Sequence, residues 1–109
     1  MTATMACRIA NLEQAKRVKV VRAAIKQGLR EVESAEQARE AIARLLEDPP
    51  VEFVGTMAAL DLVTAGRYLG RGRGRRYLLV AGIPERRRIM DFTDRQRTAL
   101  IAALREGPV

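Results

Sequence analysis

Apolar residues recur along this chain at steps of three and four, and caps and breakers cut the pattern into helix-length pieces. From about Asn11 to Val32 they fall at Val18, Val21, Ile25, Leu29 and Val32, a single stripe at the helical period, which predicts a long amphipathic helix over 11–32. Lys19, Arg22, Lys26 and Arg30 project onto the neighbouring stripe as a basic ridge, either a solvated flank or a secondary nucleic-acid contact. Ser34 and Gln37 have the spacing of a capping box and predict a second helix carrying Ala38, Ile42, Leu45 and Leu46. Asp48-Pro49-Pro50 ends it, because proline lacks a donor N–H and disfavours α geometry in the residue before it. Val51 to Gly55 is then a connector or a single turn, with Phe53 as a core plug. Thr56 is placed to cap a third helix to about Ala65, with Met57, Leu60 and Val63 inward and Gly66 as its stop. Arg71 to Ala81 forms the next, burying Tyr77, Leu78 and Val80 and ending at Gly82 and Pro84. Thr93 and Gln96 make a second capping box, opening a last helix that presents Leu100, Ile101 and Leu104 and finishes near Gly107-Pro108.

The residues that fill these stripes are small and aliphatic. Hydrophobic residues are 48% of the chain and aromatics only 4%, a composition of helical proteins rather than of β-sandwiches, so the expected fold class is all-α. A chain of 109 residues supports one modest core, and a single domain over 1–109 is expected. The opening MTATMACRIA has neither a basic start followed by an apolar stretch nor a membrane-length run, so no membrane insertion or export is expected and the location is cytoplasmic. Cys7 is the only cysteine, which leaves no internal disulfide or cysteine-based metal site and makes it an incidental surface thiol. Histidine, the commonest general base and metal ligand at neutral pH, is absent. The thirteen acids are scattered among basic residues with no close carboxylate pair in an apolar setting. Catalysis, a metal, a cofactor and a small-molecule substrate are therefore not expected.

The net charge of +7 is concentrated in one stretch. Between Gly66 and Arg97 stand Arg67, Arg71, Arg73, Arg75, Arg76, Arg86, Arg87, Arg88, Arg95 and Arg97 against Glu85, Asp91 and Asp94, while the rest of the chain balances ten basic residues against ten acidic ones. All ten are arginine, whose planar fork matches phosphate oxygens bidentately, and Gly66, Gly70, Gly72 and Gly74 interrupt the first of them. The run Leu69 to Tyr77 sits between two predicted helices, so a helix N-terminus, its dipole and arginine side chains meet in one place. That is an anion site. It is not a dinucleotide fingerprint, since no strand precedes it. The partner this predicts is nucleic acid, held through phosphates, with Gly70, Arg71, Gly72, Arg73 and Arg75 in the hairpin, Arg86, Arg87 and Arg88 in the following linker, and Arg95 and Arg97 at the start of the last helix.

From Met57 to Leu104 the chain resembles the C-terminal half of the actinobacterial-type integration host factor family. The closest stretch is Asp94-Arg95-Gln96-Arg97, with Leu100, Ile101 and Leu104 after it; Arg87-Arg88 falls at the family's arginine pair and Gly70 at its hairpin glycine. The resemblance extends more weakly through the long N-terminal helix. It implies a helix-two-turn-helix region over 56–106 in a nucleoid-associated protein that binds duplex DNA with little sequence preference, through hairpin amides and basic side chains, and bends or compacts it. This chain departs from the family at Arg71 to Gly74, where a lysine-rich, valine-bearing hairpin is usual, and at Met90, where another arginine is usual. RNA, alone or in a ribosome, is the alternative partner, because arginine-glycine segments also bind RNA backbones.

Overall fold

Helices make up all the regular secondary structure of the described residues, as the apolar spacing predicts. The computed structural model of the chain describes residues 3–108, with side chains for residues 13–108. It contains α1 (Ala3–Arg30), α2 (Ala35–Glu47), α3 (Val51–Val54), α4 (Ala59–Val63), α5 (Arg71–Ala81) and α6 (Asp94–Glu106), with a 3-10 turn at Ile89–Asp91. None of these helices is long and apolar enough to cross a membrane. The expectation for Cys7 lies outside the described side chains.

Two helices begin on the caps that the sequence predicts. The Ser34 hydroxyl accepts the Gln37 N–H at 3.1 Å, but the Gln37 side chain accepts the Glu33 N–H in place of that of Ser34, so only half of the predicted capping box forms there. At α6 the box is complete, the Thr93 hydroxyl accepting the Gln96 N–H at 3.1 Å while the Gln96 side chain accepts the Thr93 N–H. α6 packs against both α2 and α5, α1 lies on α2 and α3, and α4 lies on α5. Ala38, Ile42 and Leu46 of α2 meet Leu100 and Leu104 of α6 in one buried cluster that Leu62, Val63, Tyr77 and Leu78 complete. Burying one such aliphatic side chain contributes about 1.5–3 kcal/mol, so this cluster dominates the stability of the fold. Arg105 of α6 adds ion pairs to Glu40, at 3.2 Å, and to Glu47 across the α2 interface.

Several expectations are corrected. α1 starts at Ala3 rather than near Asn11, and it ends at Arg30. On its stripe only Leu29 is fully buried, and Val18, Val21, Ile25 and Val32 are half-buried; Ile25 and Val32 pack on the core from its edge. Arg22 leaves the basic ridge, since its guanidinium donates to the Phe53 carbonyl and the Thr56 hydroxyl. Thr56 therefore caps no helix. The third predicted helix shrinks to Ala59–Val63, and its first N–H groups are met by a distant loop: Ala59 N–H donates to Arg87 O at 2.8 Å and Leu60 N–H to Glu85 O at 3.1 Å. Val51–Val54 is a single turn in which Val54 is buried and Phe53 only half-buried at the edge of the core. Val80, expected inside, is exposed, because the inward stripe of α5 is Gly74, Tyr77, Leu78 and Ala81 and Val80 falls about 100° away from it.

Candidate nucleic-acid interface

The α4–α5 hairpin is pinned to the end of α1 before it presents anything to solvent. After Val63 the chain makes two successive turns, Thr64–Ala65 and Arg67–Tyr68, on either side of a buried Gly66. Arg67 N–H donates to Leu29 O at 3.2 Å, and the Tyr68 hydroxyl donates to Glu33 O at 3.3 Å. Tyr68 takes a left-handed φ of 74°, a conformation that costs a non-glycine residue about 1–2 kcal/mol. Burial of Leu69 and the two bonds to α1 and its exit loop hold it there. The Arg67 guanidinium lies 5.1 Å from the Tyr68 ring centre, a cation–π contact on an exposed surface.

Gly70 then starts α5 in extended backbone, with no side-chain cap and no acid in the first turn. The N–H groups of Arg71, Gly72 and Arg73 are the orphan donors of that turn. Arginines there sit against the positive end of the helix dipole, an unfavourable arrangement that an arriving anion would reverse. Gly74 faces inward, and a Cβ on it would stand 2.9 Å from Thr64 Cγ2, so this glycine is what lets α5 lie on α4. Arg71, Gly72, Arg73, Arg75, Arg76, Leu79 and Val80 all face solvent.

α5 stops at Gly82, whose φ of 70° turns the chain; Gly82 N–H donates to Leu79 O and Ile83 N–H to Leu78 O. The Gln96 amide donates to Gly82 O at 3.1 Å, so one side chain closes the end of α5 and the start of α6. The linker that follows lies between the start of α4 and the middle of α5, because its carbonyls cap α4 and Glu85 meets Arg75 at 2.8 Å. Arg86 is exposed, Arg87 is half-buried, and Arg88 pairs with Asp91 at 2.8 Å. Two of the predicted phosphate contacts, Arg75 and Arg88, thus have a carboxylate partner within the fold. Arg71, Arg73, Arg76, Arg86, Arg87 and Arg95 have no ion pair among the described residues.

Arg95 and Arg97 part company. They stand about 200° apart around α6. Arg95 lines a depression with Leu79, Val80 and Ala99, beside the outer face of α5. Arg97 shares its stripe with Ile101 and Arg105, the side that meets α2, and its Nε is buried without a hydrogen-bond partner. The structure therefore leaves the α5 arginines exposed around the outer side of that helix, sets the linker along one flank of it and Arg95 beside its far end, and sends Arg97 toward α2. Sequence reasoning missed the exposed Leu79 and the Arg67–Tyr68 pair. Tyr68 carries no turn signal of its own, and Leu79 has the same chemistry as its buried neighbour.

Among the described residues no three His, Cys, Asp or Glu side chains come together as a metal site would need. Comparison with models of known protein families, with curated proteins and with solved structures gives no match.

Proposed function

We propose that this chain binds duplex DNA through its phosphate backbone, with low sequence preference, and bends or compacts it on the nucleoid, as the resemblance to the actinobacterial-type integration host factor family implies. The observation that carries the reading is the first half of α5: an uncapped helix start with no acid, orphan N–H donors, and Arg71, Arg73, Arg75 and Arg76 within two turns. The two successive turns before it support a helix-two-turn-helix hairpin. Arg86 and Arg87 extend the positive surface along one flank of α5 and Arg95 along its far end. Phosphate contacts carry no sequence information, and the outer face of α5 holds no Asn or Gln to read base edges, so low specificity follows.

The test is a salt-titrated gel shift on duplex DNA and structured RNA side by side, with wild type and Arg86→Ala/Arg87→Ala/Arg88→Ala. If about six phosphates are neutralised, affinity for DNA falls about a thousandfold between 50 and 200 mM salt. The triple variant is expected to bind at least tenfold more weakly and with a shallower salt slope, by roughly 1 for each phosphate that is no longer neutralised. It is expected to stay folded, because α4 is capped by the backbone carbonyls of the linker and not by these side chains. A salt slope near zero would sink the reading, and RNA winning by about tenfold or more at matched nucleotide concentration would make RNA the partner.

A further inference from the structure

Leu79 stands 81% exposed on the outer face of α5, with Val80 at 62% beside it, while Tyr77 and Leu78 of the same helix are buried. The fold has no use for an aliphatic side chain there. Gly72 lies seven residues back on the same line of the helix, and it is equally unaccounted for: a Cβ on it would meet nothing within 4 Å, and its backbone is ordinary helix. The line thus runs from bare backbone at the first turn to a protruding leucine two turns later. Arg75 flanks Leu79 by about 40° on one side and Arg76 by about 60° on the other, and Arg95 stands across the depression beyond.

A second copy of this chain would bring these arginines against their own kind. A polyanion with an apolar interior, stacked bases beneath phosphates, complements both the charge and the leucine. We propose that Leu79 is a wedge that enters between two stacked base pairs of duplex DNA from the minor groove and kinks it; the proposal rests on the duplex-binding reading above. An α-helix with its side chains is about 10–12 Å across and the minor groove about 6 Å wide, so α5 reaches the bases there only through a side chain that stands proud of it. Leu79 lies about 12 Å along the axis from Arg71, so a first turn seated on one strand's phosphates puts the leucine over the adjoining groove. Separating one base step bends the duplex toward its major groove and opens the minor groove to the helix, and the arginines on both sides follow it in.

The experiment uses the full chain and a duplex of about 30 base pairs carrying end-labelled dyes and a central 2-aminopurine, at fixed salt. Wild type is expected to raise energy transfer between the ends and to brighten the 2-aminopurine as it unstacks. Leu79→Ala, a change at an exposed site, is expected to keep its unfolding midpoint and to bind the duplex through the phosphate contacts of the first turn of α5, but with weaker affinity and a shallower salt slope, because the flanking arginines no longer follow the kink. It is expected to lose both optical signals, and Leu79→Met is expected to restore at least half of each. Undiminished bending by Leu79→Ala would overturn the wedge. So would wild-type binding with no change in either signal, or a loss of affinity when uracil replaces thymine that matches the Leu79→Ala loss, which would place the leucine on thymine methyl groups in the major groove. A dimer that Leu79→Ala dissolves would overturn it in favour of a protein interface. Absence of any duplex binding by wild type would overturn the duplex reading together with the wedge, so the two failures are told apart.

Discussion

Two glycines in one helix face opposite surroundings, and their substitutions are expected to move stability in opposite directions. A Cβ on Gly74 would stand 2.9 Å from Thr64 Cγ2 and 3.4 Å from Leu60 Cδ1. Thr64 cannot swing aside without giving up the 2.7 Å bond from its hydroxyl to Leu60 O. Gly74→Ala is therefore expected to lower stability by about 1–3 kcal/mol, overpacking outweighing the helix propensity gained. Gly72→Ala meets open space, and it is expected to raise stability by up to about 1 kcal/mol. Urea unfolding of the pair checks both, and a Gly74→Ala protein more stable than wild type would show that α4 and α5 do not approach so closely. The glycines look alike in the sequence. Which one is a packing requirement depends on Thr64, ten residues upstream and outside α5.

At the scale of elements, long-range partners took over ends that local signals left open. Thr56 has the residue type of a cap, yet its hydroxyl goes to Arg22 of α1 and two linker carbonyls close the start of α4 instead. The capping box at Thr93 was legible because both partners lie within four residues. Its second duty was not: the Gln96 amide also closes the end of α5 at Gly82. Gln96→Ala removes the reciprocal half of the cap and that bridge together, and it is expected to cost about 1–2 kcal/mol, more than a cap alone. Gln96→Glu separates the two, because a carboxylate accepts the Thr93 N–H but cannot donate to Gly82 O. Equal unfolding midpoints for Gln96→Ala and wild type would refute the double role.

Over the whole molecule the acidic residues settle where cations must stay within the fold. Glu40 takes hydrogen bonds from Arg105 first and then Arg44, which hold its carboxyl below the ordinary 4.5, and the same contacts with Glu40 and Glu47 push the Arg105 guanidinium up. A carboxyl whose folded value is depressed contributes stability above about pH 4.5, and that contribution is lost as pH falls through the folded value. Glu40→Gln is therefore expected to melt slightly below wild type near pH 7 and to close the gap by about pH 3, as followed by thermal unfolding at each pH. A gap that persists at the lower pH would mean that Glu40 acts by packing. The all-α class, the Ser34 cap, the capping box at Thr93 and the concentration of arginine between Gly66 and Arg97 were determined by the sequence alone, because each is a local property of spacing or count. Only the tertiary structure decided which arginines remain without a carboxylate, which side of α6 Arg97 joins, and that Leu79 and Val80 stay outside. Those outcomes depend on what packs opposite each residue: Glu85 on Arg75, Asp91 on Arg88, α2 beside Arg97, and α4 and α6 covering only one face of α5.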